Sequence, residues 1–139
     1  MVSHTTWIVF AHLVLFNPQG HGNENELKQW PQKFELYAWL VNIEPSGHLQ
    51  AHMHKEGWLS GSIYLDVPEG NVKSTSGGIS FGFDGAGLPV FNTSFTETPF
   101  SVRKRQVVMF PSSLFHRTLP FAGARNRVSL AFDVIPSTA

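Results

Sequence analysis

The sequence predicts an all-β domain, a β-sandwich or jelly roll, on three observations. Short apolar runs are separated by Gly- and Pro-containing turns, helical periodicity is almost absent after residue 40, and the clearest runs alternate polar and apolar residues with a period of two. At 139 residues with 42% apolar content, the chain is long enough for one domain around one hydrophobic core. Twelve Gly and nine Pro, spread along its length, supply the turns.

The elements follow from the N-terminus. Residues 7–16 are apolar but only ten in number, contain His12 and have no Lys or Arg before them. A membrane-spanning helix needs about 20 apolar residues, and a secretory leader wants a positive start and a small-residue cleavage site. This stretch therefore reads as a buried strand or short helix. Residues 17–33, with Asn17, Pro18, Gly20, Gly22 and Pro31, are polar and turn-rich. They mark a boundary between an N-terminal extension, 1–33, and a jelly-roll domain, 34–139.

Strands are expected over 34–43, ended by Glu44-Pro45-Ser46-Gly47, over 48–54, ended by Lys55-Glu56-Gly57, and over 58–67, closed by Pro68-Glu69-Gly70. A short strand over 79–83 follows Gly77-Gly78, and a Gly/Pro loop spans 84–89. Weaker candidates lie at 91–95 and 100–103. Stronger ones lie at 107–110, at 114–119 after Pro111, and at 127–135 before Pro136.

Side-chain parity sharpens two of these. In the last strand Arg127, Ser129, Ala131 and Asp133 share one face, and Val128, Leu130, Phe132 and Val134 the other. In 58–67, Ser60, Ser62, Tyr64 and Asp66 oppose Leu59, Ile63, Leu65 and Val67. A dry jelly roll would bury the apolar sets. One built around a catalytic cavity can turn the polar sets inward and cover the apolar sets from outside, with residues 1–40 as the cover. The pattern alone permits both.

Composition narrows the function classes. Ten basic and ten acidic residues cancel and no polybasic run exists, which argues against a nucleic-acid partner. Cysteine is absent, so there is no disulfide framework and no thiolate metal site, and a cytoplasmic location is the expectation. No membrane association is expected. The apolar N-terminus and exposed strand edges are compatible with a homodimer.

The chemistry concentrates at His52, His54 and His116. Imidazoles at i and i+2 of an extended segment point the same way, and a third from a distant strand completes a set of three nitrogen donors. His4, His12, His21 and His48 lack such company and read as surface or satisfied histidines. Glu56 shares the parity of His52 and His54 and is the alternative carboxylate ligand, although its place before Gly57 suggests a turn. Arg127 is the candidate anchor for an anionic co-substrate, because a guanidinium offers a two-pronged fork to a carboxylate, and Ser129 lies on the same face. Arg117, of opposite parity to His116, and Arg125, in a Gly-containing turn, compete less well. Tyr64 and Trp58 could line the pocket.

These residues sit in motifs that resemble a known family. Gln50-Ala-His52-Met-His54-Lys-Glu-Gly57-Trp58-Leu-Ser60-Gly61-Ser-Ile-Tyr64-Leu-Asp-Val-Pro68 resembles the HxH-x-x-G-W-x-S segment of the 2-oxoglutarate and Fe(II)-dependent oxygenases. So do Gly78-Ile-Ser-Phe-Gly82, Phe110-Pro-Ser-Ser-Leu-Phe-His116-Arg-Thr-Leu-Pro-Phe121 and Arg127-Val-Ser129-Leu-Ala-Phe132-Asp133-Val-Ile-Pro136. The branch is the one often attached to tetratricopeptide repeats, and the resemblance covers about residues 36–136. It implies a double-stranded β-helix, a cupin-like jelly roll, with His52, His54 and His116 as catalytic metal ligands to Fe(II). It further implies 2-oxoglutarate held through the metal and through Arg127 with Ser129.

The expected function is then an Fe(II)- and 2-oxoglutarate-dependent dioxygenase that hydroxylates a small-molecule or peptide substrate with release of succinate and CO2. The alternatives are a three-His iron dioxygenase that does not use 2-oxoglutarate, and a non-catalytic jelly-roll module that binds a metal or small ligand.

Overall fold

The computed structural model describes residues 13–16, 31–68, 75–82 and 97–137. They form β1 (Leu13–Phe16), β2 (Lys33–Ile43), β3 (Leu59–Asp66), β4 (Ile79–Phe81), β5 (Thr98–Phe100), β6 (Val107–Pro111), β7 (His116–Thr118) and β8 (Arg127–Pro136). There is no helix among them, and hence none long and apolar enough to cross a membrane. Every pairing is antiparallel. One sheet runs β1-β2-β8-β3-β6 and a smaller one runs β5-β4-β7. This is the all-β, two-sheet architecture expected of a jelly roll. The strand expected at 91–95 and the loop at 84–89 lie outside the described residues, and so does most of the boundary segment 17–33.

The strand expected at 114–119 forms only over β7, and two others differ more from what is expected. The candidate at 100–103 is instead β5, Thr98–Phe100, and the chain leaves the sheet after it. The stretch 48–54 is not a regular strand: it contributes a single bridge, His52 to His116. Its hydrogen bonds give the reason. Thr118 N–H donates to Leu49 O, His52 and His116 exchange both backbone bonds, and His54 N–H donates to Ser112 O. Leu49 is three positions from His52 where Thr118 is two from His116, so an extra residue breaks the ladder. Beyond the bridge, the partner chain turns at residues 112–114.

The register of the large sheet decides which faces are inside. Across it, Tyr37 stands opposite Asp133 and Asp133 opposite Ser60, which pairs with Phe110. The next rows are Trp39, Ala131, Ser62, Val108 and then Val41, Ser129, Tyr64. Ser60, Tyr64, Arg127 and Ser129 are all buried. The polar sets therefore face inward, and of the two arrangements the sequence permits, the molecule adopts the one with a polar interior. The central strands β8 and β3 present a polar stripe, flanked by apolar residues of β2 and β6.

Two apolar clusters close around that stripe. Tyr64, Ile79, Val102 and Phe110 form one, and Val41, Ile43 and Phe121 the other. The first draws on both sheets and on the loop residue Val102, so it ties the layers together through burial of apolar surface; the second packs β2 of the large sheet against the loop residue Phe121. On the outward face the Phe132 ring lies across Gly61, its partner in the ladder, and a Cβ there would collide with the ring and approach Val108 O to 2.9 Å. Gly61→Val is accordingly expected to destabilise the fold by about 1–3 kcal/mol through overpacking, measurable as a lowered urea midpoint.

Candidate metal centre

The two histidine-bearing segments meet because the backbone bridge binds them. His52 N–H donates to His116 O at 3.0 Å and His116 N–H to His52 O at 2.9 Å. With His54 on the same side of its segment, three imidazoles converge, their ligand atoms all within 4.8 Å of one another. Ring centroids lie 4.4 Å apart for His52 and His116, 5.3 Å for His52 and His54, and 5.2 Å for His54 and His116. Glu56 is exposed and outside this group. Of the two registers the sequence permits, the side chains that gather are those of the three histidines.

Each ring is oriented by a bond from its other nitrogen. Nδ1 of His52 lies 2.7 Å from Gln50 O, and Nδ1 of His116 lies 3.0 Å from Leu114 O. A carbonyl only accepts, so in both rings Nδ1 carries the proton and donates. Nδ1 of His54 lies 2.6 and 2.8 Å from the two carboxylate oxygens of Asp133. All three Nε2 lone pairs are thereby left for a common cation, the arrangement by which buried metal sites fix tautomer and ring direction. Burial, opposed by the bond to Leu114 O and aided by the neighbouring His52 and His54, brings the His116 pKa down to about 4. His116 is thus neutral at pH 7, the form a metal requires.

Asp133, Ser60 and Ser112, to which no sequence motif gives a role, form one chain with His54. Ser60 Oγ–H donates to Asp133 at 2.6 Å. A hydroxyl has one proton, so in the 2.7 Å Ser60–Ser112 bond it is Ser112 that donates. Gly57 is needed where this chain passes, since a Cβ there would strike the Ser112 side chain. The signal for Asp133 was its parity with Arg127 and Ser129. Ser60 had the inward parity as well, whereas Ser112 lies in a turn and carried no signal.

A cavity of about 50 Å³ joins the triad to the arginine, lined by His52, His54 and His116 together with Arg127, Ser129, Trp39, Val41, Leu49 and Ile79. Arg127 is only 3% exposed. Its Nε–H donates to Gly77 O at 2.7 Å, a terminal nitrogen lies 3.5 Å from Ser129 Oγ, and its Cζ stands 4.9 Å from the centre of the Tyr64 ring. Gly77 presents that carbonyl from a left-handed turn at φ +69°, where a side chain would be strained. Among the described residues, no carboxylate pairs with Arg127. The competing arginines are both committed: Arg117 to Glu97 at 2.7 Å and Arg125 to Asp66 at 2.6 Å. Burial lowers the Arg127 pKa, with Tyr64 opposing, but a guanidinium stays charged. A cation held out of water without a counter-charge costs several kcal/mol, so the cavity is electrostatically prepared for an anion.

Tyr64 is fully buried behind Arg127, and its hydroxyl has no hydrogen-bond partner among the described residues. Burial raises its pKa against the influence of Arg127, so it is the neutral phenol. The tryptophan beside the triad is Trp39, 5.5 Å from His54, where the sequence had suggested Trp58.

Residues 37–133 match the family described as "Putative 2OG-Fe(II) oxygenase". No curated protein matches the chain. Among solved structures it is similar to a Pseudomonas putida prolyl-4-hydroxylase, with 17% identity and a TM-score of 0.56 over 75% of this chain and 53% of that one. It is also similar to AviO1 from Streptomyces viridochromogenes Tue57, with 19% identity and a TM-score of 0.53 over 74% of this chain and 51% of that one. The chain thus spans about half the length of either structure, and at these identities the likeness is one of fold.

The convergent nitrogens lead to a direct expectation. The protein should bind one Co(II) per chain, read by its visible absorption, and His52→Ala or His116→Asn should each abolish that stoichiometric binding while the far-ultraviolet circular dichroism is retained.

Proposed function

The chain belongs to the 2OG-Fe(II) oxygenase family, and from that premise we propose that it is an Fe(II)- and 2-oxoglutarate-dependent dioxygenase that hydroxylates a small-molecule or peptide substrate. The observation that carries the proposal is the shared cavity: three convergent imidazoles and a buried arginine without a carboxylate partner among the described residues line the same space. The donor set suits the metal, since neutral imidazole binds iron readily. Bound Fe(II) would supply the chemistry by which O2 is divided between 2-oxoglutarate, which leaves as succinate and CO2, and a substrate C–H bond, which becomes C–OH.

The chain's own residues have separable tasks. His52, His54 and His116 would hold the metal through Nε2. Arg127, with Ser129 beside it, would receive the far carboxylate of 2-oxoglutarate through charge-assisted hydrogen bonds. Tyr64 backs the guanidinium: its ring face offsets part of the cost of burying the charge. Trp39, Val41, Leu49 and Ile79 supply apolar wall, which keeps water away from the reacting groups. The lack of cysteine fits a cytoplasmic setting.

The all-nitrogen donor set favours one second reading, a three-His iron dioxygenase that needs no oxo-acid; the uncompensated charge of Arg127 argues for the first. Anaerobic titration of 2-oxoglutarate into the Fe(II)-loaded protein is expected to raise a visible metal-to-ligand charge-transfer band. Arg127→Ala should weaken binding by about 2–5 kcal/mol, the cost of leaving one partner of a buried charge pair alone. Unchanged 2-oxoglutarate affinity in that variant would sink the anchor role. Oxygen uptake without 2-oxoglutarate would transfer the assignment to the second reading, and metal binding without turnover would leave a binding module.

A further inference from the structure

We infer that Asp133 supplies the negative charge of the metal centre from outside the ligand set, acting on the metal through His54. The inference rests on the metal-binding part of the proposed function, and goes beyond it by assigning a positioning role to a residue that is not itself one of the converging ligands.

Three observations carry it. First, the histidines are not equivalent. His52 and His116 donate from Nδ1 to neutral carbonyls, Gln50 O and Leu114 O, whereas His54 donates to a carboxylate that straddles its Nδ1 with both oxygens, at 2.6 and 2.8 Å. A carboxylate accepting from Nδ1–H draws the proton outward and makes the opposite Nε2 more basic, hence a stronger donor to a cation. Second, the carboxylate is itself fixed. Ser60 donates to it at 2.6 Å, Ser112 donates to Ser60 at 2.7 Å, and both serines are fully buried. The side chains of His54 and Asp133 are only 15% and 13% exposed, so solvent screens their pairing weakly. Third, the charges balance only with Asp133 included. Three neutral imidazoles leave a divalent cation uncompensated, with the positive Arg127 lining the same cavity. A dianionic co-substrate then brings this group of charges to one net positive charge, and the Asp133 carboxylate brings it to zero.

In an iron site of two histidines and a carboxylate, the anion is bound to the metal. Here a histidine stands in that place and the anion is displaced outward by the width of an imidazole ring. The centre keeps the charge and gives up the metal–oxygen bond.

The test is Co(II) titration, under anaerobic conditions, of the wild-type protein, Asp133→Asn and Ser60→Ala. Nitrogen-15 spectra of the histidine rings in the metal-free proteins accompany it. Asp133→Asn, nearly isosteric but uncharged, is expected to lower Co(II) affinity roughly 10- to 100-fold, with the visible spectrum of the bound ion unchanged because the three nitrogens remain. The His54 Nδ1–H signal should lose the downfield shift that a charged acceptor imposes, a change that a purely structural residue would not cause. Ser60→Ala keeps the charge but frees the carboxylate to turn, so a smaller loss is expected; if Asp133→Asn does not fold, this variant decides, and unchanged affinity in it overturns the inference. Unchanged affinity in a folded Asp133→Asn overturns it likewise. A changed Co(II) spectrum in Asp133→Asn would make Asp133 a direct ligand and also overturn it. Failure of the wild-type protein itself to bind Co(II) brings down the metal-centre reading, and the inference with it.

Discussion

The site depends on two backbone hydrogen bonds exchanged between His52 and His116. They lie between segments more than sixty residues apart in sequence and make the reciprocal bridge between the 48–54 stretch and β7 of the smaller sheet. A reciprocal pair of this kind fixes both the separation and the facing of the two residues, so their imidazoles emerge side by side instead of relying on side-chain freedom to find each other. The same bridge sets the position of His54 two residues on, and hence its reach to Asp133 on β8. Because the stretch is not a continuous strand, the triad has little ladder support on that side, and its precision comes from the bridge, the His54 N–H bond to Ser112 O and the Nδ1 bonds behind the rings.

Much of this was legible in the sequence, and the parts that were not have physical reasons. Period-two alternation located β3 and β8 to within a residue or so, because a strand with two chemically different faces cannot slip by one without inverting both. The HxH spacing announced a convergent pair for the same reason. What parity could not decide was which face is inside, since an interior that houses a charged site reverses the usual preference, and only the assembled sheets show that β8 turns its serine, arginine and aspartate inward. The break at 48–54 was hidden because its residues have no turn chemistry; the irregularity comes from the mismatch with β7. Asp133 was visible as a parity partner of Arg127, but its contact is with His54, 79 positions away, and no local pattern encodes that.

The polar stripe also shows how a small domain accommodates buried charge. Every polar group along the Asp133 end has a partner: His54, Ser60 and Ser112 satisfy one another in sequence. At the Arg127 end the balance is left incomplete, with a carbonyl and an aromatic face but no anion among the described residues. A fully satisfied network rigidifies, whereas a partly satisfied one stores a demand for a ligand. The two ends of one cavity are therefore built to different ends, one for holding a fixed geometry and the other for receiving something charged.

Both ends are carried by β8. Arg127 and Asp133 stand six residues apart on an unbroken strand, about 20 Å of backbone at some 3.3 Å per residue, with the same facing only because six is even. An insertion or deletion of a single residue between them would send one of the two to the outer surface whichever neighbour kept its register. The stretch between Arg127 and Asp133 is held to an inward-outward code and can change its length only in pairs of residues, and variants of this chain should be sought with that arithmetic in mind.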